Sequence, residues 1–549
     1  MPVQPQTSIP IPAPGYYGLN TQDSPVNMPT SFAAIADHCI IDNSGRIGSR
    51  SGLKAVTTTA PTTLGGYPAE RVFEFIDIRG ISWVFVCGGG KIYLQNVSDG
   101  VLTLLTGYSG VVTDNSWQIV SLDDRCYFIQ ADKPILVFEP GVSTSALIVQ
   151  VTTGSSWPPA VTGYPSCATS GFGRLWVGGF DNNKSLIVVS SLTTGAALHW
   201  TETIDVSQFW PNGTDVITAI KVHNDFLIVF GQRSILAYSI PSEGPSEAAL
   251  TDTVGGIGCV ARDSVAVIGT DLIFLDSSGL RGLGRTIQEK SLPIGNLSIN
   301  IKQDIQAAIA GSDPANVVAV FNPEQALYTL SFPDERFSYA FETKAELENG
   351  SYKATRWPNR ALHCGVRTRA GNTYYGGMGG LYEYTGNFDS TWVDVGNPFV
   401  TTPIPTLPAS VTYHSSSPQT YSVNFKYWTH PQGFGAPEKL KFLKQVDLTL
   451  SGGAGASLYL KWSFNYNPEA SEIRLVQEGG VLYDYNEDDS EYGPPSLAEY
   501  SGGSEQIASR QLNVWGNGRV VSFGFEANLT LNHFSIQELN IQALLGRII

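Results

Sequence analysis

A hairpin that recurs about every fifty residues constrains the fold of this chain more than any other feature. In each copy an apolar strand, a tight turn and a second apolar strand follow one another, as in DFLIVFGQRSILAY of residues 225–238. The first apolar residues of successive copies are evenly spaced, at Trp83, Cys126, Leu175, Phe226, Leu272, Ala326 and Tyr374. A period this regular indicates one supersecondary unit that is used seven times.

The interval between hairpins leaves room for two further strands, and about four strands in 40 to 50 residues is the length of a propeller blade. One four-stranded blade cannot bury both of its faces, whereas blades packed around an axis can, and they leave only short edges. The sequence therefore predicts an all-β fold with a β-propeller of about seven blades over residues 65–397. A series of β-sandwiches is the alternative, and the constant period disfavours it.

The segments before and after the repeat lack its regular hairpin pattern. Residues 1–64 are expected to form an extended segment that packs on a platform domain. A Pro/Thr-rich linker, FVTTPIPTLPASV, follows the repeat at residues 399–411, and longer strands that alternate apolar and polar residues come after it at 441–450, 457–466, 519–531 and 534–546. This pattern predicts a separate C-terminal β-sandwich or barrel over residues 398–549. Only residues 31–40 and 298–310 have a helical pattern.

The composition limits the function. The formal net charge is −16 and only 15% of the residues are charged, against about 25% in average soluble proteins. An acidic chain gains nothing from counterion release on DNA, so we expect no ordinary nucleic-acid binding. The negative charge favours solubility, or a surface past which a polyanion slides. We expect no secretory signal and no membrane-spanning segment, and the six widely spaced cysteines indicate free thiols from a reducing cytoplasm.

Patterns that signal catalysis are missing from the sequence. There is no G-x-S-x-G, no H-E-x-x-H and no aspartate box, and the seven histidines are scattered. We therefore expect no enzymatic activity, no catalytic residue, no metal site and no cofactor. One acidic run is a candidate loop, either simply solvated or able to repel DNA or dock a partner; it contains Asp484, Glu487, Asp488, Asp489 and Glu491.

The N-terminal segment carries a motif that precedes the hairpins. A P-V-N turn ending at Asn27 is followed by DNSGRIGSRSGL at residues 42–53, which contains Gly45, Arg50 and Gly52. Gly52 permits positive φ at the start of a strand, and Arg50 can bind backbone carbonyls or a carboxylate. This order of motifs, the fourth hairpin and residues 519–540 together resemble the tail nozzle proteins of short-tailed bacteriophages, also called tail accessory or packaged-DNA stabilisation proteins.

The resemblance implies a structural virion protein of the phage tail that is made in the host cytoplasm. Its copies would form a ring, six in number, below the portal and adaptor ring proteins, and the ring would receive tail fibre or spike proteins. Genomic DNA would pass through the lumen without sequence-specific binding, and the ring would retain and then release it. The main alternative is a phage carbohydrate-binding or depolymerase propeller, which needs two carboxylates about 5 to 10 Å apart for hydrolysis. The second alternative is a monomeric propeller that binds other proteins as a scaffold and forms no ring.

Overall fold

A computed structural model gives the fold of the chain. It describes residues 6–25, 28–41, 45–56, 64, 67–96, 100–108, 117–131, 133–141, 149–151, 161–192, 199–242, 244–289, 295–377, 380–384, 394–395, 420–421, 423–452, 457–467, 470–475, 507–529 and 533–548.

The N-terminal segment is built from six short strands. They are β1 (Gln6–Pro12), β2 (Gly18–Leu19), β3 (Phe32–Asp37), β4 (Cys39–Ile41), β5 (Ile47–Ser49) and β6 (Leu53–Ala55). Residues 31–40 were expected to be helical, and that prediction is wrong. The alanines of this stretch lie in β3, where backbone pairing with a distant strand outweighs their helical propensity.

Between residues 71 and 384 the described chain forms seven consecutive antiparallel sheets, which are the blades. The first blade consists of β7 (Arg71–Ile76), β8 (Ser82–Gly88), β9 (Lys91–Gln95) and β10 (Leu102–Leu104), and the second of β11 (Gln118–Leu122), β12 (Arg125–Ile129), β13 (Ile135–Phe138) and β14 (Val149–Val151). The third blade consists of β15 (Cys167–Gly171), β16 (Arg174–Phe180), β17 (Asn183–Ser190) and β18 (Trp200–Asp205), and the fourth of β19 (Ile217–His223), β20 (Phe226–Gly231), β21 (Ser234–Ser239) and β22 (Ala249–Gly255).

The last three blades contain the two α-helices of the described residues. The fifth blade consists of β23 (Ala266–Ile268), β24 (Asp271–Asp276) and β25 (Gly279–Gly282), followed by α1 (Leu283–Glu289). Helix α2 (Lys302–Gly311) precedes the sixth blade, which consists of β26 (Val318–Asn322), β27 (Leu327–Phe332), β28 (Phe337–Glu342) and β29 (Lys353–Pro358). The seventh blade contains β30 (Cys364–Arg367), β31 (Thr373–Gly377) and β32 (Gly380–Tyr384). Short 3-10 helices lie at Pro245–Glu247, Arg262–Ser264 and Ile299–Ile301. The helix expected at residues 298–310 is confirmed by α2 and the 3-10 turn before it.

The hairpin repeat of the sequence corresponds to the second and third strands of each blade. In the fourth blade, β20 and β21 pair from Phe226↔Ser239 to Phe230↔Ile235. Asn224 and Asp225, with φ of 46° and 63°, make the two-residue turn that leads into this hairpin, and positive φ at both positions is what such a turn requires. The prediction of an all-β fold with a β-propeller is confirmed.

The N-terminal segment closes the ring of blades. Strand β6 pairs with β32 from Leu53↔Tyr384 to Ala55↔Tyr382, and so supplies the fourth strand of the seventh blade. Side chains of the first and seventh blades then share one hydrophobic cluster, which includes Val84 and Leu381. Equivalent clusters lie between four further neighbouring pairs among the first five blades and between the sixth and seventh blades, while the fifth and sixth blades meet in a larger core.

Strands from both chain ends build the remaining sheets. The C-terminal ones are β33 (Asp394–Val395), β34 (Thr420–Tyr421), β35 (Val423–Thr429), β36 (Lys439–Gly452), β37 (Ser457–Phe464), β38 (Ser471–Leu475), β39 (Ile507–Asn513), β40 (Asn517–Gly518), β41 (Val521–Leu529) and β42 (Phe534–Ile548). One sheet has the order β39-β36-β42-β5-β4, with β1 added along β42. The other contains β3, β35, β41, β37 and β38. We call these two sheets the platform.

The platform is continuous with the sixth blade. Strand β29 of that blade pairs in parallel with β3 at Arg356↔Asp37, so one ten-stranded sheet runs from the propeller into the platform. A single hydrophobic core also joins Tyr328 of the sixth blade, Ile305 of α2 and Phe525 of the platform. A separate C-terminal domain is therefore not confirmed, because backbone pairing and apolar packing both cross its expected boundary.

Candidate functional site

An ion-pair cluster closes the propeller axis where the first strands of the blades begin. These first strands lie next to one another around the axis, for example β15 beside β19 and β30 beside β7. Arg262 precedes the fifth blade, and its guanidinium donates from Nη1 to the carbonyl oxygen of Ser166 at 2.6 Å and from Nη2 to that of Trp117 at 3.2 Å. Ser166 and Trp117 immediately precede the third and second blades, so this side chain crosses the axis.

Asp263 completes the closure toward the first blade. Its Oδ1 lies 3.0 Å from Nη1 of Arg71, and its Oδ2 lies 2.6 Å from Nη2 of Arg262. Burial raises the pKa of the Asp263 carboxyl, but Arg262 and Arg71 more than offset this effect, and the pKa falls below its usual value. The carboxylate is therefore ionised at neutral pH and bridges two arginines from different blades. We call Arg71, Arg262 and Asp263 the axial plug.

The backbone that carries the plug is held in place by neighbouring blades. The Ser264 hydroxyl donates to the carbonyl oxygen of Ala261 at 2.6 Å and accepts from the N–H of Leu275 at 3.1 Å. The Tyr328 hydroxyl, from the sixth blade, donates to the carbonyl oxygen of Ser264 at 2.7 Å. These bonds fix the short 3-10 helix at Arg262–Ser264, so the plug is preorganised rather than a loose surface pair.

Two more ionisable side chains belong to the axial cluster. Lys221 lies on β19 and is partly accessible to solvent. Burial lowers the pKa of Lys221, Arg71 and Arg262 lower it further, and Asp263 opposes them. Glu70 precedes β7, and its Oε2 accepts from the indole N–H of Trp117 at 3.1 Å. Three cationic side chains thus face two carboxylates at the axis.

Arg50 lies at a second polar centre, on the connection from the platform to the closing strand β6. It is 1% exposed, and its guanidinium donates from Nε to His38 Nδ1 at 3.1 Å and from Nη1 to the carbonyl oxygen of Ser51 at 2.8 Å. The guanidinium carbon lies 5.6 Å from the ring centroid of Trp357 in the sixth blade. Arg50 therefore links platform, closing strand and propeller in one buried contact.

Of the residues of the sequence motif, Arg50 and Gly52 lie on this connection, and Gly45 precedes β5. Gly45 has φ of 77°, and a Cβ there would come within 3.0 Å of the Tyr16 ring. Gly52 directly precedes β6, and the positive φ expected there is not found. Asn27 and the acidic run of Asp484, Glu487, Asp488, Asp489 and Glu491 lie outside the described residues.

Sequence reasoning missed the axial cluster. Its members are single charges scattered along the chain from Glu70 to Asp263, and no local pattern joins them. The one usable signal was their position, because Arg71, Lys221, Arg262 and Asp263 all lie in or just before the first strand of a blade.

The cysteine thiols are poor nucleophiles in this fold, because burial keeps them protonated. All six cysteines are free and buried, and burial raises the pKa of the Cys167, Cys259 and Cys364 thiols to about 12. Among the described residues, no three His, Cys, Asp or Glu side chains are grouped so that they could hold a metal ion. No helix in the described ranges is long and apolar enough to cross a membrane.

No known protein-family model matches the chain, and no curated protein matches its sequence. Solved structures with similar coordinates include a protein from Lactobacillus plantarum at 12% identity, which aligns with 59% of this chain and 88% of its own length at a TM-score of 0.37. A chain of the mitotic checkpoint complex aligns at 10% identity over 60% and 95% of the two chains, with a TM-score of 0.38.

The WD40 domain of Neurospora crassa Pan2 aligns at 10% identity over 62% of this chain and 96% of that one, with a TM-score of 0.36. At scores and identities this low, the strand pairing described above carries the assignment of the fold.

Proposed function

We propose that the chain is a structural virion protein, a tail nozzle subunit whose copies form a ring below the portal and adaptor. The ring extends the DNA channel, retains the genome and releases it during ejection. The resemblance of residues 27–53, of the fourth hairpin and of the C-terminal strands supports this proposal. The structural observation that favours it most is the rigid coupling of propeller and platform.

A ring that holds a packaged genome bears load, so its subunits must not flex at an internal hinge. Here the sheet of the sixth blade continues into the platform at Arg356↔Asp37. The buried Arg50 contact with Trp357 adds a second connection between the two parts. Two independent connections between propeller and platform resist bending better than one linker, which suits a structural subunit.

The axial plug limits where DNA can run in such an assembly. Arg262 contacts backbone from the second and third blades while Asp263 binds Arg71 of the first. A duplex cannot pass through side chains that touch across the axis. In the proposed ring the DNA channel therefore lies between subunits, on the axis of the ring, and the propeller serves as a wall or spoke.

One face of the propeller offers apolar contacts to other proteins. We call it the turn face, because it carries the turns between the first and second strands of the blades. Large apolar side chains are exposed there on four blades, namely Ile78 (83%), Ile81 (45%), Leu192 (54%), Phe226 (36%) and Val267 (52%). Exposed apolar side chains on one face are typical of interaction surfaces, so we assign this face to the adaptor ring.

Electron microscopy and mass photometry of the full chain, alone and with the portal–adaptor complex of its own phage, test the proposal. The complex should gain the mass of six chains of 59.2 kDa each, in the form of a ring with a central hole. Ile78→Glu should weaken this assembly, whereas Lys184→Glu, beside a turn on the opposite face of the third blade, should not. A chain that stays monomeric with the complex and cleaves host polysaccharide would support the depolymerase alternative and refute the nozzle.

A further inference from the structure

A cavity of about 300 Å³ lies on the platform, between the N-terminal segment and the loop that follows β35. The apolar part of its wall comes from three separate stretches of the chain and includes Ile11, Met28, Phe434 and Val520. A volume of this size is at the lower end of the range for ligand pockets. The cavity can therefore hold one large side chain of a partner.

Hydrogen bonds hold the walls of this cavity in place. The buried ammonium group of Lys441 donates to the carbonyl oxygens of Ala436 and Arg519, and so ties the loop to the strand that carries Val520. Backbone bonds of 2.8 and 3.2 Å run in both directions between Gln432 and Val521. The cavity is thus formed before anything binds, and a partner does not have to order it.

Two polar groups of the cavity wall have no hydrogen-bond partner among the described residues. Gln432 is only 8% exposed, and its amide nitrogen donates to the carbonyl oxygen of His430 at 2.9 Å. The amide oxygen Oε1 of Gln432 accepts from no described residue, and the Thr30 hydroxyl is bonded to none. A buried acceptor without a donor is costly. Apolar walls with one such acceptor suit an aromatic side chain that carries an N–H.

Trp515 presents such a side chain on the platform, between β39 and β40. It is 59% exposed, and its indole N–H donates to no described residue. Its ring packs edge-on against the ring of Trp462 at a centroid distance of 5.1 Å, and its carbonyl oxygen accepts from the Trp462 indole at 2.9 Å. An exposed tryptophan that is held rigidly is the kind of residue that dominates the binding energy of protein interfaces.

We propose that the indole of Trp515 from one copy of the chain fills this cavity in a second copy, with its N–H donating to Oε1 of Gln432. The contact satisfies the unpartnered acceptor and buries an exposed aromatic ring at the same time. A projecting side chain and a cavity are unlike patches of one subunit, and contacts between unlike patches close into rings. The inference names the contact between copies and rests on the proposed ring.

Sedimentation velocity of the full chain at increasing concentration tests this contact. Trp515→Ala should weaken self-association by about thirtyfold or more, as expected for a central interface tryptophan. Trp515→Phe keeps a ring but loses the N–H, and it should weaken self-association about fivefold. Phe209→Ala is the matched control, because it removes an aromatic side chain of the propeller that is 44% exposed and should leave self-association unchanged.

A mixing experiment tests the pairing of side chain and cavity directly. Thr30→Trp places an indole of the chain itself in the cavity and should also abolish self-association. Each variant retains the part that the other has lost, so a mixture of Trp515→Ala and Thr30→Trp should form pairs and nothing larger. Thermal unfolding of each variant, compared with the wild type, confirms that both are folded.

Self-association that survives Trp515→Ala would overturn the inference, as would a wild type that stays monomeric up to its solubility limit or a mixture of the two folded variants that forms no pairs. A Thr30→Trp variant that loses only its binding to the adaptor would overturn it too, because the cavity would then belong to the adaptor contact. None of these results refutes the nozzle if six chains still join the portal–adaptor complex. Self-association that requires Trp515 in a chain that never joins this complex would support the contact and refute the nozzle.

Discussion

Asp263→Asn probes the axial plug with little change in shape. The substitution removes the charge that Arg71 and Arg262 share, at contact distances of 3.0 Å and 2.6 Å. The Asp263 and Arg262 side chains are only 11% and 12% exposed, so solvent screens the pair weakly. Breaking a buried pair by neutralising one partner costs about 3 to 5 kcal/mol, because the other charge is left uncompensated.

This free energy converts to a shift in unfolding temperature. Propeller and platform share one hydrophobic core and so unfold together, and at about 2.1 cal/mol/K per residue the unfolding entropy of the 549-residue chain is about 1.15 kcal/mol/K. A loss of about 3 to 5 kcal/mol therefore lowers the unfolding temperature of the chain by about 3 to 4 °C. Differential scanning calorimetry of the full chain measures this shift.

The shift should depend on pH in a defined direction. The Asp263 pKa is depressed in the folded state, so its contribution is fully present above about pH 4, the unfolded value. It is lost as the pH falls through the lower folded value. The difference between wild type and Asp263→Asn should therefore stay constant from pH 5 to 8 and narrow below about pH 4.

The control is Asp181→Asn, which removes a 2.6 Å pair with Lys184 whose side chains are 40% and 43% exposed. An exposed pair contributes little, so we expect a shift below about 1 °C. An Asp263→Asn shift as small as this control, or a difference that widens in acid, would refute the assignment of Asp263 as the bridging charge of the axis.

Three further outcomes follow from other contacts. Arg50→Met should cost about 3 kcal/mol or more through two lost bonds from a charged donor, and an unchanged denaturant midpoint would contradict that role. Gly258→Ala places a Cβ 2.4 Å from the carbonyl oxygen of Gly231 and should cost about 1 to 3 kcal/mol, whereas Gly141→Ala, with nothing within 4 Å, should be neutral in the same melt. Burial lowers the pKa of His363 to about 4 from its usual 6.5. Lowering the pH from 6.5 to 4 should therefore reduce the unfolding free energy of the wild type more than that of His363→Gln. Parallel curves of unfolding free energy against pH for the two proteins would contradict this.

The sequence was sufficient for the propeller because its signal is local and repeated. Apolar runs joined by short turns identify the second and third strands of each blade, as in residues 225–238. The two helical patterns had different outcomes for a physical reason. Residues 298–310 cover nearly all of α2 (Lys302–Gly311), whereas residues 31–40 form β3 and the start of β4. Strand β3 pairs with Val423–Thr429, which follows the whole propeller in the sequence.

The axial cluster and the ring closure could not be found in this way. Strand β6 is very short, Leu53–Ala55, and offers no recognisable alternation. Arg71, Lys221 and Asp263 come together only because the blades close around one axis, and their sequence neighbours are ordinary strand residues. Both features depend on contacts between residues that are far apart in the sequence, whereas a sequence pattern reports only on residues that are close together in it.

The strand that closes the ring also sets the order of events during synthesis. Strand β6 leaves the ribosome before any blade, yet its partner β32 follows only after every other strand of the propeller. Strand β1 can pair only after β42, at the other end of the chain, has been synthesised. The last steps of folding therefore involve the first residues made. A chain truncated before β32 can complete neither the seventh blade nor the platform edge, and one truncated before β42 lacks the platform edge. Pairings between strands this far apart in the sequence make folding slow. In a truncated product the ring of blades would stay incomplete, and the chain would be susceptible to proteolysis.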